Sequence, residues 1–172
     1  MGTRFQIIVY ATSESAAATA FERAFSRIAG LDDLLSDYKP DSEISRLSAA
    51  SPSKRIVNAD LFRVLDRAQH YSRLTDGAFD VTVGPFTKLW RRAHRRKELP
   101  DPALLAEAAE AVGHSFLKLT RDTRTVELTR PNMRLDLGGI AKGYAADEAR
   151  EAMRALGVTR VLINAGGDIV AG

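Results

Sequence analysis

The segment 133–147, MRLDLGGIAKGYAAD, constrains the fold more than any other stretch of the chain. Its apolar residues first alternate with Arg134 and Asp136, which predicts a strand over residues 133–137. Gly138-Gly139 interrupts this pattern, and a helical periodicity then predicts a helix to about Leu156. A strand that runs through glycines into a helix requires a sheet with helices packed against it.

Other patterns predict further elements on both sides of this segment. They are a strand over Thr3–Tyr10, a helix over Glu14–Leu35 capped by Ser13, helices that begin after Asn58 and at Asp101-Pro102, a hairpin of Ser115–Thr120 and Thr125–Arg130, and a strand at Val161–Ile163. On the first helix, the spacing predicts that Phe21, Phe25, Ile28 and Leu35 share the buried face. A last strand begins at Asp168, for which we expect no partner strand. Hairpins mixed with strand–helix–strand units favour an α+β fold, with mixed or antiparallel sheets flanked by helices.

Length and composition bound the remaining classes of protein. The 172 residues predict one domain. Cysteine is absent, which excludes disulfides, thiolate metal sites and a cysteine nucleophile. No apolar run reaches the roughly 18 residues of a membrane span. We expect no secretory signal, because residue 1 leads directly into the first predicted strand.

The basic charge of the chain is a local feature. There are 25 basic and 22 acidic side chains, and five of the basic ones fall in the run 91–97, RRAHRRK. Trp90 precedes this run, and tryptophan with arginine can bind single-stranded nucleic acid. Because no series of aromatic residues is interleaved with the arginines, we expect no nucleic-acid partner and interpret the run as a solvated loop or helix end. His70, His94 and His114 lack the spacing of a joint metal site.

The glycine pair and the helix after it are the best candidate for a ligand site. Glycine permits a positive φ and a close approach of a ligand to the backbone. The helix start offers unpaired N–H groups and the positive end of the helix dipole, and Lys142 adds a cation that requires an anion beside it. These features favour a phosphate site. The alternative, equally compatible with the residues, is a tight turn with a solvated lysine.

Three other segments carry weaker signals. The turn Asn164-Ala165-Gly166-Gly167-Asp168 ends a strand, where ligands often bind, but we favour a plain hairpin turn. In the turn 75–80, TDGAFD, Asp80 accepts a hydrogen bond from a ligand or, as we favour, from the local backbone. Tyr38, in the polar loop 36–43, either stacks on a flat ligand or anchors the loop on the core.

Taken together and in this order, the motifs resemble those of the ApbE family, the FAD:protein FMN transferases. The matching pieces are Met1-Gly2-Thr3; Ser36-x-Tyr38-x-Pro40-Asp41-Ser42-Glu43; Thr75-Asp76-Gly77-Ala78-Phe79-Asp80-Val81-Thr82-Val83-Gly84-Pro85; Asp136-Leu137-Gly138-Gly139-Ile140-Ala141-Lys142-Gly143; and Asn164-Ala165-Gly166-Gly167-Asp168. The resemblance covers essentially the whole chain. It implies an ApbE-like, T-fold-related architecture, of which residues 1–172 form the N-terminal portion as a single incomplete domain.

The resemblance also implies an activity and its ligands. Such enzymes bind FAD with a divalent cation, usually Mg²⁺; a threonine hydroxyl of a target flavoprotein attacks the FMN-side phosphorus, and AMP leaves. Some members instead hydrolyse FAD to FMN and AMP. By position, the resemblance implies contacts to the flavin nucleotide from Met1, Tyr38, Ala78, Phe79, Asp80, Asp136 and Lys142, and a backbone carbonyl ligand to the metal at Gly139.

The chain also departs from the family pattern. The family's later motifs, which supply carboxylate and hydroxyl metal ligands and the proposed base, have no counterpart in residues 1–172. We therefore expect the catalytic residues to lie elsewhere and catalysis by this chain alone to be weak or absent. A nucleotide-binding module without catalysis and a Mg²⁺-dependent FAD pyrophosphatase are the alternatives. The resemblance implies a periplasmic or inner-membrane-anchored protein, held by a lipid anchor that this chain lacks. Strands without their partners would leave an apolar edge, which favours a homodimer.

Overall fold

The computed structural model describes residues 2–172, and Met1 lies outside the described residues. Its elements are β1 (Phe5–Tyr10), α1 (Glu14–Leu35), α2 (Glu43–Ala49), β2 (Ser53–Ile56), α3 (Ala59–Leu74), α4 (Gly84–Arg96), α5 (Pro102–Ala109), β3 (Leu117–Thr120), β4 (Thr125–Leu128), α6 (Ala141–Arg154), β5 (Arg160–Ala165) and β6 (Asp168–Ala171). The described part is α+β, with two antiparallel three-stranded sheets and helices against them, so the predicted fold class is confirmed. None of its helices is long and apolar enough to cross a membrane.

The first sheet pairs strands from opposite ends of the sequence. Its order is β1-β5-β6, and β1, which begins two residues later than predicted, places Phe5 opposite Ala165. One face packs against α1 and α6, where Ile163 is fully buried. The other face is open to solvent, and Tyr10 and Ile169 on it are 68% and 65% exposed. This sheet is therefore covered on one side only within the described residues.

Strand β6 corrects one prediction. We expected no partner for a strand at Asp168, but β6 folds back on β5 as a hairpin, with Ala165 opposite Asp168. Gly166 and Gly167 have φ values of +63° and +105°. The amide of Gly167 donates to the Asn164 side chain at 2.8 Å. Two positive φ values are the requirement of a two-residue hairpin turn, so the plain hairpin that we favoured is confirmed.

The second sheet lies in the main core. Its order is β2-β4-β3, and β3 and β4 form the hairpin that the sequence predicts, on slightly shorter strands. Val126 and Leu128 of β4 are buried together with Leu61 and Leu65 of α3. Helix α3 thus presents an apolar face to this sheet, and Asn58 caps it by accepting from the amide of Asp60 at 2.8 Å.

Helix α1 begins and ends at the predicted residues, but its buried face differs from the prediction. Ser13 caps it by accepting from the amide of Ala16 at 3.2 Å. Phe25 is 45% exposed, so its assignment to the core is wrong. The buried stripe is Ala20, Ala24, Ile28, Leu31 and Leu35. It faces small residues of α6, namely Ala146 and Ala149. Small side chains on both helices let α1 and α6 approach closely, which leaves no room for a phenylalanine between them.

The segment 133–137 buries its apolar residues as predicted, yet it is not a strand. A single parallel bridge between Val83 and Arg134 is its pairing within the described residues. The amide of Leu135 donates instead to the Ser48 hydroxyl at 3.1 Å. An alternating pattern indicates only that one side of an extended segment is buried. Its backbone N–H and C=O groups can form their hydrogen bonds with side chains and loops as well as with a neighbouring strand.

Two helices occur where the sequence pattern predicts none. Helix α2 follows the polar loop directly, and Ser42 caps it by accepting from the amide of Ser45 at 3.1 Å. Helix α4 carries most of the basic run in its second half and ends at Arg96, and the next residue, Lys97, caps it with a φ of +55°. The interpretation of the run as a helix end is confirmed, and Trp90 is half exposed on the same helix.

Candidate functional site

A groove of about 870 Å³ lies between α3 and the start of α6. Phe79, Gly139 and Asp168 line it from one side, and Arg67 and Tyr71 of α3 line it from the other. Volumes of about 300–1,000 Å³ are typical of sites for small molecules and cofactors. The groove therefore brings the predicted Phe79 and Gly139 together with an α3 surface that no motif marked.

The glycine pair forms the turn into α6 for a steric reason. The amide of Gly138 donates to Asp136 Oδ1 at 2.8 Å. A Cβ on Gly139 would lie 3.2 Å from Cε2 of Phe79, which is closer than ordinary side-chain contacts. Neither glycine has a positive φ, so of the two possibilities that glycine permits, the left-handed backbone does not occur here. Close approach of the Phe79 ring is what Gly139 permits.

Lys142 lies in the first turn of α6 and pairs with Asp168. Its Nζ is 3.4 Å from Asp168 Oδ2, and its side chain is 28% exposed. The sequence argument requires an anion beside this cation, and the Asp168 carboxylate provides one. Because Asp168 directly follows the second glycine turn, this ion pair joins the two glycine turns at one end of the groove. The alternative of a solvated lysine is wrong.

Arg91 connects two predicted site residues, Tyr38 and Asp136. Its guanidinium carbon lies 4.3 Å from the centre of the Tyr38 ring. The guanidinium also donates to Asp136 Oδ2 at 2.7 Å and to Asp37. Burial acts to lower the pKa of Arg91, but the hydrogen bond to Asp37 leaves it raised. Tyr38 is 66% exposed, so it does not anchor its loop in the core.

The turn 75–80 divides its predicted residues between two environments. Phe79 lines the groove, whereas Ala78 is exposed on the turn. Asp80 Oδ1 accepts from the amide and the hydroxyl of Thr82, each at 2.7 Å. The Thr82 hydroxyl in turn accepts from the amide of Gly113 at 2.8 Å. The local role that we favoured for Asp80 is confirmed, and its contact with a ligand stays a prediction.

A polar network beside the groove ties three helices together. The Tyr144 hydroxyl donates to Asp60 Oδ1 at 2.6 Å, and Arg27 donates to both Asp60 oxygens, at 2.8 and 2.6 Å. Arg63 donates to the Tyr144 hydroxyl at 3.1 Å. The Arg27 hydrogen bond holds the pKa of Asp60 below its ordinary value, and burial raises the pKa of Tyr144. The network fixes the first turns of α6 relative to α1 and α3.

Sequence reasoning missed the α3 side of the groove. Arg63, Arg67 and Tyr71 recur every fourth residue, which places them on one face of a helix. The Arg67 guanidinium carbon lies 5.5 Å from the Tyr71 ring centre, and the Tyr71 and Phe79 rings meet edge-on at 6.0 Å. That spacing was the available signal. It went unused because charged residues on an exposed helix face usually contact only water.

The described residues do not form a metal centre by themselves. Within residues 2–172, no group of three or more His, Cys, Asp or Glu side chains is placed to hold a metal ion. The resemblance implies the carbonyl of Gly139, and one carbonyl cannot hold Mg²⁺ against water. The remaining predicted contact, Met1, lies outside the described residues.

Comparisons with known proteins show the family to which the chain is similar. A family model described as the ApbE family matches residues 1–172. The FAD:protein FMN transferase of Klebsiella pneumoniae is 32% identical over 170 residues, which are 98% of this chain and 52% of that protein. The one from Haemophilus influenzae is 34% identical over an alignment of 181 positions, which covers 98% of this chain and 51% of that protein. The chain spans about half the length of the curated relatives it matches.

Solved structures agree with the fold over nearly the whole chain. The flavin transferase ApbE from Vibrio cholerae superposes with a TM-score of 0.83 at 27% identity, over 99% of this chain and 56% of that one. The ApbE protein from Thermotoga maritima superposes with a TM-score of 0.87 at 26% identity, over 99% of this chain and 55% of that one.

Proposed function

This chain belongs to the ApbE family, and on that premise we propose that its groove binds FAD for the transfer of FMN to a threonine hydroxyl of a target flavoprotein. In this reaction the threonine oxygen bonds to the FMN-side phosphorus and the bond from that phosphorus to AMP breaks. FMN then stays on the target through a phosphoester, and AMP leaves. We propose that residues 1–172 supply the nucleotide-binding part of this activity as one domain.

The observation that carries the proposal is that Gly139 of the first glycine turn and Asp168, which follows the second, line one groove, with Lys142 paired to Asp168 beside it. The amides of Ile140 and Ala141 already donate to the Leu137 carbonyl, so the first turn of α6 offers those of Lys142 and Gly143 to a phosphate. Phe79 keeps the approach narrow by packing on Gly139. Asp168, half exposed, pairs with Lys142 at 3.4 Å. An entering pyrophosphate would take the lysine from that carboxylate. Asp136, held by Arg91 and by the amide of Gly138, is fixed beside the turn.

We propose that Mg²⁺ binds together with FAD and not to the free chain. The cation would neutralise pyrophosphate charge and so favour departure of AMP. Mg²⁺ commonly takes several of its ligands from phosphate oxygens and water. The Gly139 carbonyl would then be one ligand among several. We expect FAD to bind more tightly with Mg²⁺ present, and no binding of Mg²⁺ alone by calorimetry. Tight binding of Mg²⁺ without FAD would contradict this proposal.

Thermal unfolding with and without FAD and Mg²⁺ tests the binding function. A ligand that binds only the folded state stabilises it, by about 2.7 kcal/mol at one hundred times the dissociation constant. Lys142→Ala should weaken FAD binding about tenfold, the size of one hydrogen bond to a charged group. Lys118→Ala, an exposed lysine on β3 away from the groove, is the matched control. A wild-type chain whose midpoint does not move with FAD would overturn the proposal.

A second assay separates transfer from hydrolysis. The chain is incubated with FAD, Mg²⁺ and a flavoprotein acceptor, and flavin attached to the acceptor is followed beside AMP in solution. We expect weak or absent transfer by residues 1–172 alone. AMP released without acceptor would favour the pyrophosphatase instead. We also propose a periplasmic or inner-membrane-anchored location and a homodimer, and fractionation of the native protein tests the location.

A further inference from the structure

Three exposed tyrosines among the described residues each carry an arginine guanidinium at the ring. Tyr10, with Arg160 at 4.8 Å, lies on the open face of the first sheet, and the other two belong to the candidate site. Tyr38 has Arg91 at 4.3 Å from its ring centre, and Tyr71 has Arg67 at 5.5 Å. Their exposed fractions are 66% and 39%. An exposed aromatic ring that carries a guanidinium offers a flat, cationic surface, on which a flat ring can stack. Only the Tyr38 pair coincides with a motif of the family.

A continuous path of contacts joins the two pairs. Arg91 donates to Asp136 at 2.7 Å, and Asp136 accepts from the amide of Gly138 at 2.8 Å. The next residue, Gly139, packs under the Phe79 ring, which meets the Tyr71 ring edge-on at 6.0 Å. The start of α6 therefore lies between the two tyrosine–arginine pairs.

The charges on the α3 side single out Arg67. Arg63 pairs with Glu148 at 3.3 Å, and Arg121 pairs with Asp66 at 3.0 Å. Among residues 2–172, Arg67 forms no ion pair, and its contact is the Tyr71 ring. Its positive charge is thus available to a ligand in the groove.

We infer that Tyr71 and Arg67 form a second ring-binding surface, which takes one of the two flat ring systems of FAD while Tyr38 and Arg91 take the other. This inference rests on the proposed function. A dinucleotide has a ring at each end and a pyrophosphate between them. The chain offers the same order: a tyrosine–arginine pair, a glycine turn with a helix N-terminus, and a second tyrosine–arginine pair. Each stacked ring contributes enough that its loss weakens binding roughly five- to a hundredfold.

The test compares FAD with its two halves. FAD and FMN binding are followed by flavin fluorescence, and AMP binding by calorimetry, all with Mg²⁺. The variants are Tyr71→Leu and Arg67→Ala; Tyr71→Phe keeps the ring, and Arg73→Ala is an exposed control on the same helix outside the groove. We expect Tyr71→Leu and Arg67→Ala to weaken FAD about tenfold. Tyr71→Phe and Arg73→Ala should bind like wild type.

The halves of FAD distinguish the outcomes. Tyr71→Leu should weaken one of FMN and AMP and leave the other unchanged, and Tyr38→Leu should do the reverse. Loss of FMN places the flavin ring on α3, whereas loss of AMP places adenine there; either supports the inference. Unchanged FAD binding in both groove variants, or equal weakening of both halves, overturns it while the proposed function stands. A wild-type chain that binds no FAD overturns the proposed function and this inference with it.

Discussion

Replacing Gly84 with alanine tests a backbone contact that positions the site. Gly84 is buried at the start of α4, directly beside the segment 133–137. A Cβ there would lie 2.6 Å from the carbonyl carbon of Arg134 and 2.7 Å from its Cβ. Since real Cβ atoms essentially never approach closer than 3.0 Å, the two backbones would have to separate by about 0.4 Å or more. Arg134 lies two residues before Asp136, so the displacement reaches the glycine turn.

The loss of stability expected for Gly84→Ala follows from the rigidity of the two backbone segments, at Gly84 and at Arg134. Overpacking in a core costs about 1–3 kcal/mol. We expect about 3 kcal/mol for Gly84→Ala, because backbone atoms and not a flexible side chain must move. One kcal/mol shifts the unfolding midpoint by about 2–4 °C in a chain of this size, so the midpoint should fall by roughly 6–12 °C. Circular dichroism on heating and urea unfolding both measure it.

A second glycine provides the matched control. Gly30 lies in α1, and a Cβ there would meet nothing within 4 Å. Alanine is the better helix former, so Gly30→Ala should stabilise the chain by about 0.5–1 kcal/mol. The same chemical change is therefore expected to have opposite signs at the two positions. A Gly84→Ala chain as stable as wild type, or two variants that lose stability equally, would refute the steric reasoning.

Three further predictions concern pH and the exposed sheet face. The Arg27 hydrogen bond lowers the pKa of Asp60 from its ordinary 3.8, so as pH falls the carboxylate takes up a proton in the unfolded chain before it does so in the folded one. The free energy of unfolding therefore drops below about pH 4. Asp60→Asn should remove this part of the drop. Burial raises the pKa of Tyr144 above its ordinary 10.0, so as pH rises the hydroxyl loses its proton in the unfolded chain before it does so in the folded one. The free energy of unfolding therefore falls above about pH 10. Tyr144→Phe should reduce this fall. The exposed apolar face of the first sheet favours a homodimer, which Ile169→Lys should shift to monomer in sedimentation velocity.

Each of these predictions has a contradicting result. Urea unfolding across the acid range that is the same for wild type and Asp60→Asn would exclude the carboxylate as the cause. An alkaline fall that persists in Tyr144→Phe would assign it to another group. A wild-type chain that sediments as a monomer at every concentration would exclude the dimer.

The predictions that the structure confirms rest on residues that are close together in the sequence. The cap Ser13 and the absence of glycine near either end allowed both ends of α1 to be predicted to the residue. Both of these signals act within one helical turn. The β3–β4 hairpin was predictable for the same reason, since both strands adjoin their turn. The alternation in 133–137 correctly gave burial but not pairing. Which group accepts the amide of Leu135 depends on Ser48, which is remote in sequence.

Residues of the candidate site could be predicted where a single motif determines their position. They could not be predicted where residues that are distant in sequence come into contact. Gly139 and Lys142 stood out through their place at the start of a helix. Arg91 was counted only as part of a basic run, because nothing local indicates that it reaches Tyr38 and Asp136. The α3 side of the groove was missed in the same way. Tyr71 on this side contacts the Phe79 ring, which belongs to a loop outside α3.

The pairing of β1 with β5 has a consequence for how the protein is made. Phe5 leaves the ribosome early, yet its partner Ala165 follows about 160 residues later. At about 5–20 residues per second, β1 waits roughly 10–30 s before that partner exists. Closing so long a loop also costs about 4–5 kcal/mol of chain entropy. During synthesis the growing chain therefore presents the inward side of β1, with Phe5, Ile7 and Val9, to the folding machinery of the cell as an apolar strand without a sheet.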